Sequence, residues 1–343
     1  MATLGPVVSW FVALFVSAWV ADWGARRLAH PLRKLRRQQG LTGTAGGALL
    51  AVVTAAPEIG INSVSALRDV SDIGLGNLLG SNIVSIPLVF TTAYLASRRT
   101  LVNGPGPDRT PDADPPDSGE RFLRLEPRTL SVHVLPYLAI LALLAALTLP
   151  SPGSGLQPVD GWVMLAAYAV YLSQAVVRGR ESGADIAWER RELAGAATGV
   201  AAVVDGAFFA VRSTERLVAL LGIPDVVGGL FITATVSTVP EMFNTWQVVR
   251  SGQVTAGTTS VLADNTATVT LGFLPLALVS APVANPRLYW VNLLFVGLIP
   301  GLLAVLLRLA AGDHGLKRRQ ILLLDGAYVG YLLVVALLFL DVT

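Results

Sequence analysis

The 343-residue chain contains no cysteine, which excludes disulfides, thiolate metal sites and cysteine nucleophiles. Charge is scarce as well: Asp, Glu, Lys and Arg make up 14% of the residues, against roughly 25% in an average soluble domain. Histidine occurs three times. His30, His133 and His314 fall in basic loops or at the start of an apolar run, positions that suit an interface better than a ligand. The Gly-x-Ser-x-Gly and His-Glu-x-x-His patterns of a serine nucleophile or a zinc-binding helix are missing, so neither enzymatic activity nor a resident cofactor is expected. What remains is apolar: 53% hydrophobic residues, in runs near the ~20 residues that cross about 30 Å of hydrocarbon.

These runs place ten predicted spans near 4–21, 42–66, 73–97, 130–149, 159–177, 194–211, 225–249, 255–280, 288–307 and 320–340. The first has no basic segment before it and no small-residue cleavage site after it, and reads as a retained helix rather than a signal peptide. Basic residues divide unevenly among the loops. The even-numbered loops hold only Arg68, Arg212, Arg216 and Arg287, while the rest of the 25 Lys and Arg fall in the odd loops, six of them (Arg26, Arg27, Arg33, Lys34, Arg36 and Arg37) in loop one. Such a bias sets the odd loops in the cytoplasm and both termini outside. The basic residues therefore report topology in a cell-membrane protein whose partner is the lipid bilayer, with no nucleic acid implied. Residues 103–118 are polar and proline-rich and predict a solvated linker within a flexible cytoplasmic loop, 98–128.

The chain also repeats itself. Shifting it by 183 residues lays Asp22 on Asp205, Gly46 on Gly229, Pro57 on Pro240, Glu58 on Glu241, Gly74 on Gly257 and Asn82 on Asn265 without a gap. Eight of the 42 positions from 41 to 82 are identical to their counterparts. Five spans per half is an odd number, so the second half must enter the membrane reversed, and inverted repeats of this kind put a binding site at the midplane. The expected fold is all-α: ten transmembrane helices in two inverted five-helix repeats. The first repeat lies in 1–150 (motif 42–90), and the remainder, 151–343, contains the second (motif 225–273).

Glu58 and Glu241 each place a carboxylate inside an apolar span, a feature that costs roughly 2.5–3.5 kcal/mol on insertion scales and usually serves an ion or proton pathway. Pro57 and Pro240 have no amide hydrogen, so the carbonyls of Val53 and Val236 lose their helical partners and the helices are expected to break there. Thr54 with Glu58, and Ser237 with Glu241, stand four residues apart on one helix face. In the next span Asn77, Ser81 and Ser85 form a polar stripe at helical spacing, matched by Ser260, Asp264 and Thr268, and both stripes should face the interior. Carboxylates, hydroxyls and loose carbonyls make an oxygen-only donor set, which suits Na⁺, Ca²⁺ or Mg²⁺ better than softer metals. Small residues (Gly74, Gly76, Gly80; Ala256, Gly257, Ala263) predict close helix packing beside it.

Thr54-Ala55-Ala56-Pro57-Glu58 followed by Gly76-Asn77-Leu78-Leu79-Gly80-Ser81-Asn82-Ile83 resembles the first repeat motif of the calcium/cation antiporter superfamily, and is most similar to its sodium/calcium exchanger branch. Ser237-Thr238-Val239-Pro240-Glu241 with Ala263-Asp264-Asn265 resembles the second. The resemblance implies that Glu58 and Glu241 are shared ligands for transported Ca²⁺ and Na⁺, completed by Thr54, Ser237, Ser81 and Asp264. The chain departs from the pattern in having Ser85 and Thr268 where exchangers usually carry Asn or Asp, and these two join the candidate ligand set by position. Ala55 replaces the first motif's Ser, and Val53 and Val236 replace its initial Gly. The implied function is secondary antiport of Ca²⁺ against Na⁺ by alternating access, with Ca²⁺/H⁺ antiport as the alternative and a passive cation channel behind both. Three nearby carboxylates in a low-dielectric setting do not all stay ionised when empty, which admits the proton reading.

Overall fold

With no water in hydrocarbon to satisfy the backbone, an apolar chain of this composition must close its hydrogen bonds within helices. The computed structural model describes residues 4–38, 50–100, 122–125, 129–148, 155–177, 189–310 and 315–339. Helices α1 (Leu4–Gln38), α2 (50–54), α3 (Ala56–Leu67) and α4 (Ser71–Thr100) are followed by a short strand, β1 (Phe122–Arg124). Next come a π-helical turn at Leu130–Val134 running into α5 (Leu135–Thr148), then α6 (Pro158–Val177) and α7 (Arg190–Leu221). In the last third, α8 (Asp225–Val227), a π turn at Gly228–Thr233 and α9 (Ala234–Arg250) form one stretch. A second stretch consists of α10 (Val254–Ala267), a π turn at Thr268–Gly272 and α11 (Phe273–Leu278). The chain closes with α12 (Pro286–Leu309), β2 (Gly315–Lys317) and α13 (Arg318–Phe339).

Among the described residues eight stretches are long and apolar enough to cross a membrane: Leu4–Leu35, Ser71–Ser97, Leu130–Thr148, Arg190–Leu221, Asp225–Arg250, Val254–Leu278, Pro286–Leu309 and Arg318–Leu338. They coincide with the expected spans one, three, four and six to ten. Of the other two, 42–49 lies outside the described residues, the remainder of 42–66 forms α2 and α3, and 159–177 is covered by the 20-residue α6.

Three features depart from the sequence expectations. First, α1 does not end near residue 21: it continues through Pro31 to Gln38, so Arg26, Arg27, Arg33 and Lys34 ride on the helix instead of a loop. Long basic side chains permit this because they carry their charge away from the helix, and Arg27 lies over the Trp23 ring at 4.2 Å. Second, only the first motif is broken. A turn at Ala55 (φ −77, ψ −3) separates α2 from α3, with Pro57 in the first turn of α3, where a missing amide is tolerated. In contrast, α9 passes through Pro240 as one helix, and the backbone irregularity of the second half is taken up by the π turns at 228–233 and 268–272. Third, β1 and β2 pair antiparallel, with Leu123 opposite Leu316 and both fully buried, so the end of segment 98–128 is tied to the start of α13. Residues 103–118 lie outside the described residues.

Small residues set how closely the helices approach. A Cβ on Gly24 would fall 2.6 Å from the Gly199 carbonyl, and one on Gly206 would fall 2.7 Å from the amide nitrogen of Ala21, so α1 and α7 run antiparallel with their backbones nearly touching. In the same way a Cβ on Gly80 would collide with the Leu230 carbonyl and one on Gly76 would lie 2.8 Å from the Leu230 nitrogen, which seats α4 directly on the 228–233 turn. This is the close packing expected of Gly76 and Gly80. Gly80→Val is therefore expected to lower the unfolding free energy by about 2 kcal/mol or more, because backbone cannot yield to the new methyls. Gly326→Ala, where a Cβ meets nothing within 4 Å, should leave thermal unfolding in detergent unchanged or slightly raised.

Candidate cation site

The break at Ala55 carries Thr54 and Glu58 to the same small cavity from either side of the turn. Pro57 denies the Val53 carbonyl its amide partner, and the ladder resumes with Ile59 donating to the Ala55 carbonyl at 2.9 Å. The cavity, of about 20 Å³, holds roughly one water-sized particle. Its polar wall consists of Thr54, Glu58, Ser237, Glu241 and Asp22, and its apolar wall includes Ala18, Ala21, Ile61 and Ala210. The two motifs, 183 residues apart in sequence, thus face each other across a single small space.

Glu58 is 3% exposed, and Ser237, whose hydroxyl donates to the Ala234 carbonyl at 3.1 Å, lines the same cavity. Glu241 is half-buried on the cavity, and Asp264, also 3% exposed, stands near both Glu58 and Glu241. Buried carboxylates gathered in this way favour a positive charge, a proton or a metal ion, among them. Glu58 Oε2, Glu241 Oε2 and Asp264 Oδ1 are buried, and none has a hydrogen-bond partner among the described residues. Buried, unpaired carboxylate oxygens beside hydroxyls fit a hard cation, whose ligands would come from Glu58, Glu241, Ser237 and Thr54, with Asp264 behind them. No three His, Cys, Asp or Glu among the described residues close on one point as a rigid metal centre does. An ion that enters and leaves needs no such cage.

The other predicted ligands are buried but do not line this cavity. Ser81 donates to the Leu78 carbonyl at 3.4 Å. Ser85 donates to Asn265 Oδ1 at 3.0 Å, and so joins α4 to α10. Thr268 sits in the π turn with its hydroxyl unpartnered among the described residues. The repeated Asn82 is bridged by the Tyr137 hydroxyl at 2.7 Å. Asn62, one turn beyond Glu58 on α3, accepts from Asn77 at 3.1 Å and donates to the Gly272 carbonyl at 3.2 Å. These bonds form a polar layer that locks α3, α4 and α10 around the site.

Asp22, which the 183-residue register pairs with Asp205, also reaches the cavity. With α1 extended to Gln38 it stands mid-helix, 8% exposed, with its carboxylate on the cavity. Its counterpart Asp205 is exposed on α7. Asn244, which contacts Asp22, carried no signal, since its aligned partner is Ile61.

A family model described as sodium/calcium exchanger protein matches residues 9–177 and 192–337. No curated protein matches the chain. Among solved structures, the sodium-calcium exchanger NCX_Mj soaked with 10 mM Na⁺ and no Ca²⁺ is similar at TM-score 0.58 and 18% identity, over 96% of this chain and 99% of that one. The same exchanger soaked with 2.5 mM Na⁺ and 0.1 mM Sr²⁺ gives 0.60 at 18% identity, over 95% and 99%. The H⁺/Ca²⁺ exchanger CAX gives 0.67 at 15% identity, over 99% of this chain and 82% of that one. At such identities the likeness is one of fold.

If the cavity holds a cation, Ser237→Ala should weaken binding about tenfold, the value of one hydrogen bond to a charged group. The cation-dependent rise in melting temperature measures it. Ser85→Ala, which removes a bond outside the cavity, should lower the melting temperature and leave the cation-dependent increment unchanged.

Proposed function

The chain belongs to the sodium/calcium exchanger protein family, and from that premise we propose that it is a secondary active antiporter exchanging Ca²⁺ for Na⁺ by alternating access. The observation that carries this reading is the shared cavity: Glu58 and Ser237 from opposite motifs meet there, Glu241 and Thr54 complete it, and Asp264 stands behind. In this reading Ca²⁺ and Na⁺ compete for the same oxygens, and only a site whose charge is balanced can cross, because an empty carboxylate cluster is too costly to move through hydrocarbon.

A proton as the driving ion is the second reading. The nearness of Glu58, Glu241 and Asp264 supports it, since buried carboxylates close together favour a positive charge among them and a proton is the smallest that serves. The structural neighbours NCX_Mj and CAX are named as a sodium-calcium exchanger and an H⁺/Ca²⁺ exchanger, which supports weighing both couplings.

We further propose ten spans in two inverted repeats, odd loops in the cytoplasm and both termini outside. Two ion pairs support this assignment. Lys34 meets Glu192 at 2.5 Å, joining ends assigned to the cytoplasm, and Arg68 meets Glu215 at 2.9 Å, joining ends assigned to the outside. The parallel seating of α4 on the 228–234 segment agrees, because spans three and seven run the same way in that topology.

The test is ⁴⁵Ca²⁺ flux into proteoliposomes under an imposed Na⁺ or pH gradient. A Na⁺ gradient is expected to drive saturable Ca²⁺ uptake, and Glu58→Gln or Glu241→Gln to reduce it roughly 100-fold, about 2.7 kcal/mol of lost cation binding. Uptake driven by the pH gradient alone selects the proton reading. If neither gradient moves Ca²⁺, exchange is refuted.

A further inference from the structure

Asp22 has a second neighbour that the exchange chemistry does not use. Arg26, one turn further along α1, places Nη2 2.6 Å from Asp22 Oδ2 and donates from Nη1 to Asn244 Oδ1 at 2.8 Å. Asn244 in turn donates from Nδ2 to Asp22 Oδ1 at 3.0 Å. The three side chains close a ring that fastens α1 to α9 about one helical turn beyond the cavity residues Asp22 and Glu241. Arg26 lies beyond Asp22 and Asn244 beyond Glu241, each toward the C-terminal end of its own helix, so both stand on the same side of the cavity.

The charges explain why such a ring would be built. Asp22 faces the cavity almost fully buried, and a buried carboxylate without a counter-ion is strongly unfavourable. Arg26 supplies that counter-ion through a planar fork able to engage carboxylate and amide together. Its own side chain is 42% exposed, which makes the pair cheap to separate. A cation approaching from that side brings the positive charge Asp22 needs, and the guanidinium can then leave for water.

We propose that Asp22 is a transient cation ligand at the entrance of the site and that Arg26 is its tethered competitor, closing the Arg26-side mouth until an incoming cation takes the carboxylate. Asn244 is the positioning residue that holds the guanidinium across the gap. The inference rests on the exchanger reading for the identity of the cation. In the topology proposed above the mouth is cytoplasmic.

Because the chain contains no cysteine, Ala18→Cys puts a single thiol in the cavity wall. Its reaction with a membrane-impermeant maleimide, applied from each side of reconstituted vesicles in turn, reports the mouth directly and needs no transport. Arg26→Gln in the Ala18→Cys background is expected to speed labelling from the Arg26 side at least about fivefold, and Arg26→Lys, which keeps the charge but loses the fork, to fall between. Where Ca²⁺ flux is measurable, Arg26→Gln should lower the apparent KM on the Arg26 side and raise it on the other, opposite signs that general misfolding does not generate. Asp22→Asn should cancel the gain when combined with Arg26→Gln. Equal labelling rates with and without Arg26 overturn the proposal whatever the flux shows. Absence of flux with faster labelling refutes the exchanger reading and leaves the gate standing.

Discussion

Everything in this fold answers to the cost of placing carboxylates where water is absent. Glu58 and Asp264 are almost fully buried, Glu241 is half-buried beside them, and each keeps one oxygen without a partner among the described residues. A fold that only needed stability would fill this place with hydrocarbon, which packs as well and asks for no counter-charge. Retaining three acids there makes sense when a positive charge visits. The hydroxyls of Thr54 and Ser237 on the same cavity supply oxygens of the kind a dehydrated ion can accept in place of water. The site is thus a deliberate instability, resolved by the ligand it waits for.

Such a site demands scaffolding that does not yield. Gly76, Gly80 and Gly229 bring α4 and the 228–233 turn into backbone contact, and the Asn62, Asn77, Asn82, Tyr137 and Ser85 bonds cross-link the helices behind the acids. The α1–α7 pair is built differently. Its two helices fit tightly against each other through Gly24, Gly199 and Gly206, whereas polar links from the pair to the rest of the fold are few: Arg26 and Asp22 with Asn244 midway along α1, and Glu215 with Arg68 and Thr214 with Thr233 toward the end of α7. The pair is thus rigid within itself, and the exposed part of its links exchanges for water at little cost.

Much of this was legible before any coordinates. The 183-residue register brought Glu58 and Glu241 together on paper, and helical spacing put Thr54 and Ser237 beside them; the cavity contains all four. Carboxylates in apolar runs are rare enough that position alone identifies them. Hydroxyls are not, since Ser and Thr can satisfy themselves on their own helix, as Ser81 does on Leu78. Spacing therefore nominated Ser81, Ser85 and Thr268 as readily as Ser237, and only three-dimensional placement separates them. The end of the first span was placed too early for another reason. A run of basic residues was read as the end of a span, although Arg and Lys continue a helix well and carry their charge outward.

The two halves are related but not equal, and the inequalities fall where direction matters. The chain breaks at Ala55 but passes unbroken through Pro240, Asp264 replaces Ser81, and Asp22 lies on the cavity while Asp205 is exposed. A perfectly symmetric pair of repeats would present identical sites to the two sides of the membrane and would hold no preference between them. Asp264 places an extra negative charge near Glu58 and Glu241, so the electrostatics of the site are asymmetric. Arg26 adds a resident positive charge on one side, and no described basic residue lines the cavity from the other. In the proposed exchange, an ion leaving past Arg26 would trade places with a guanidinium that is already there, whereas one leaving the other way would have to be replaced from solution. Sidedness in this molecule is therefore a property of a few charges that the repeats do not share, laid over a scaffold that they do.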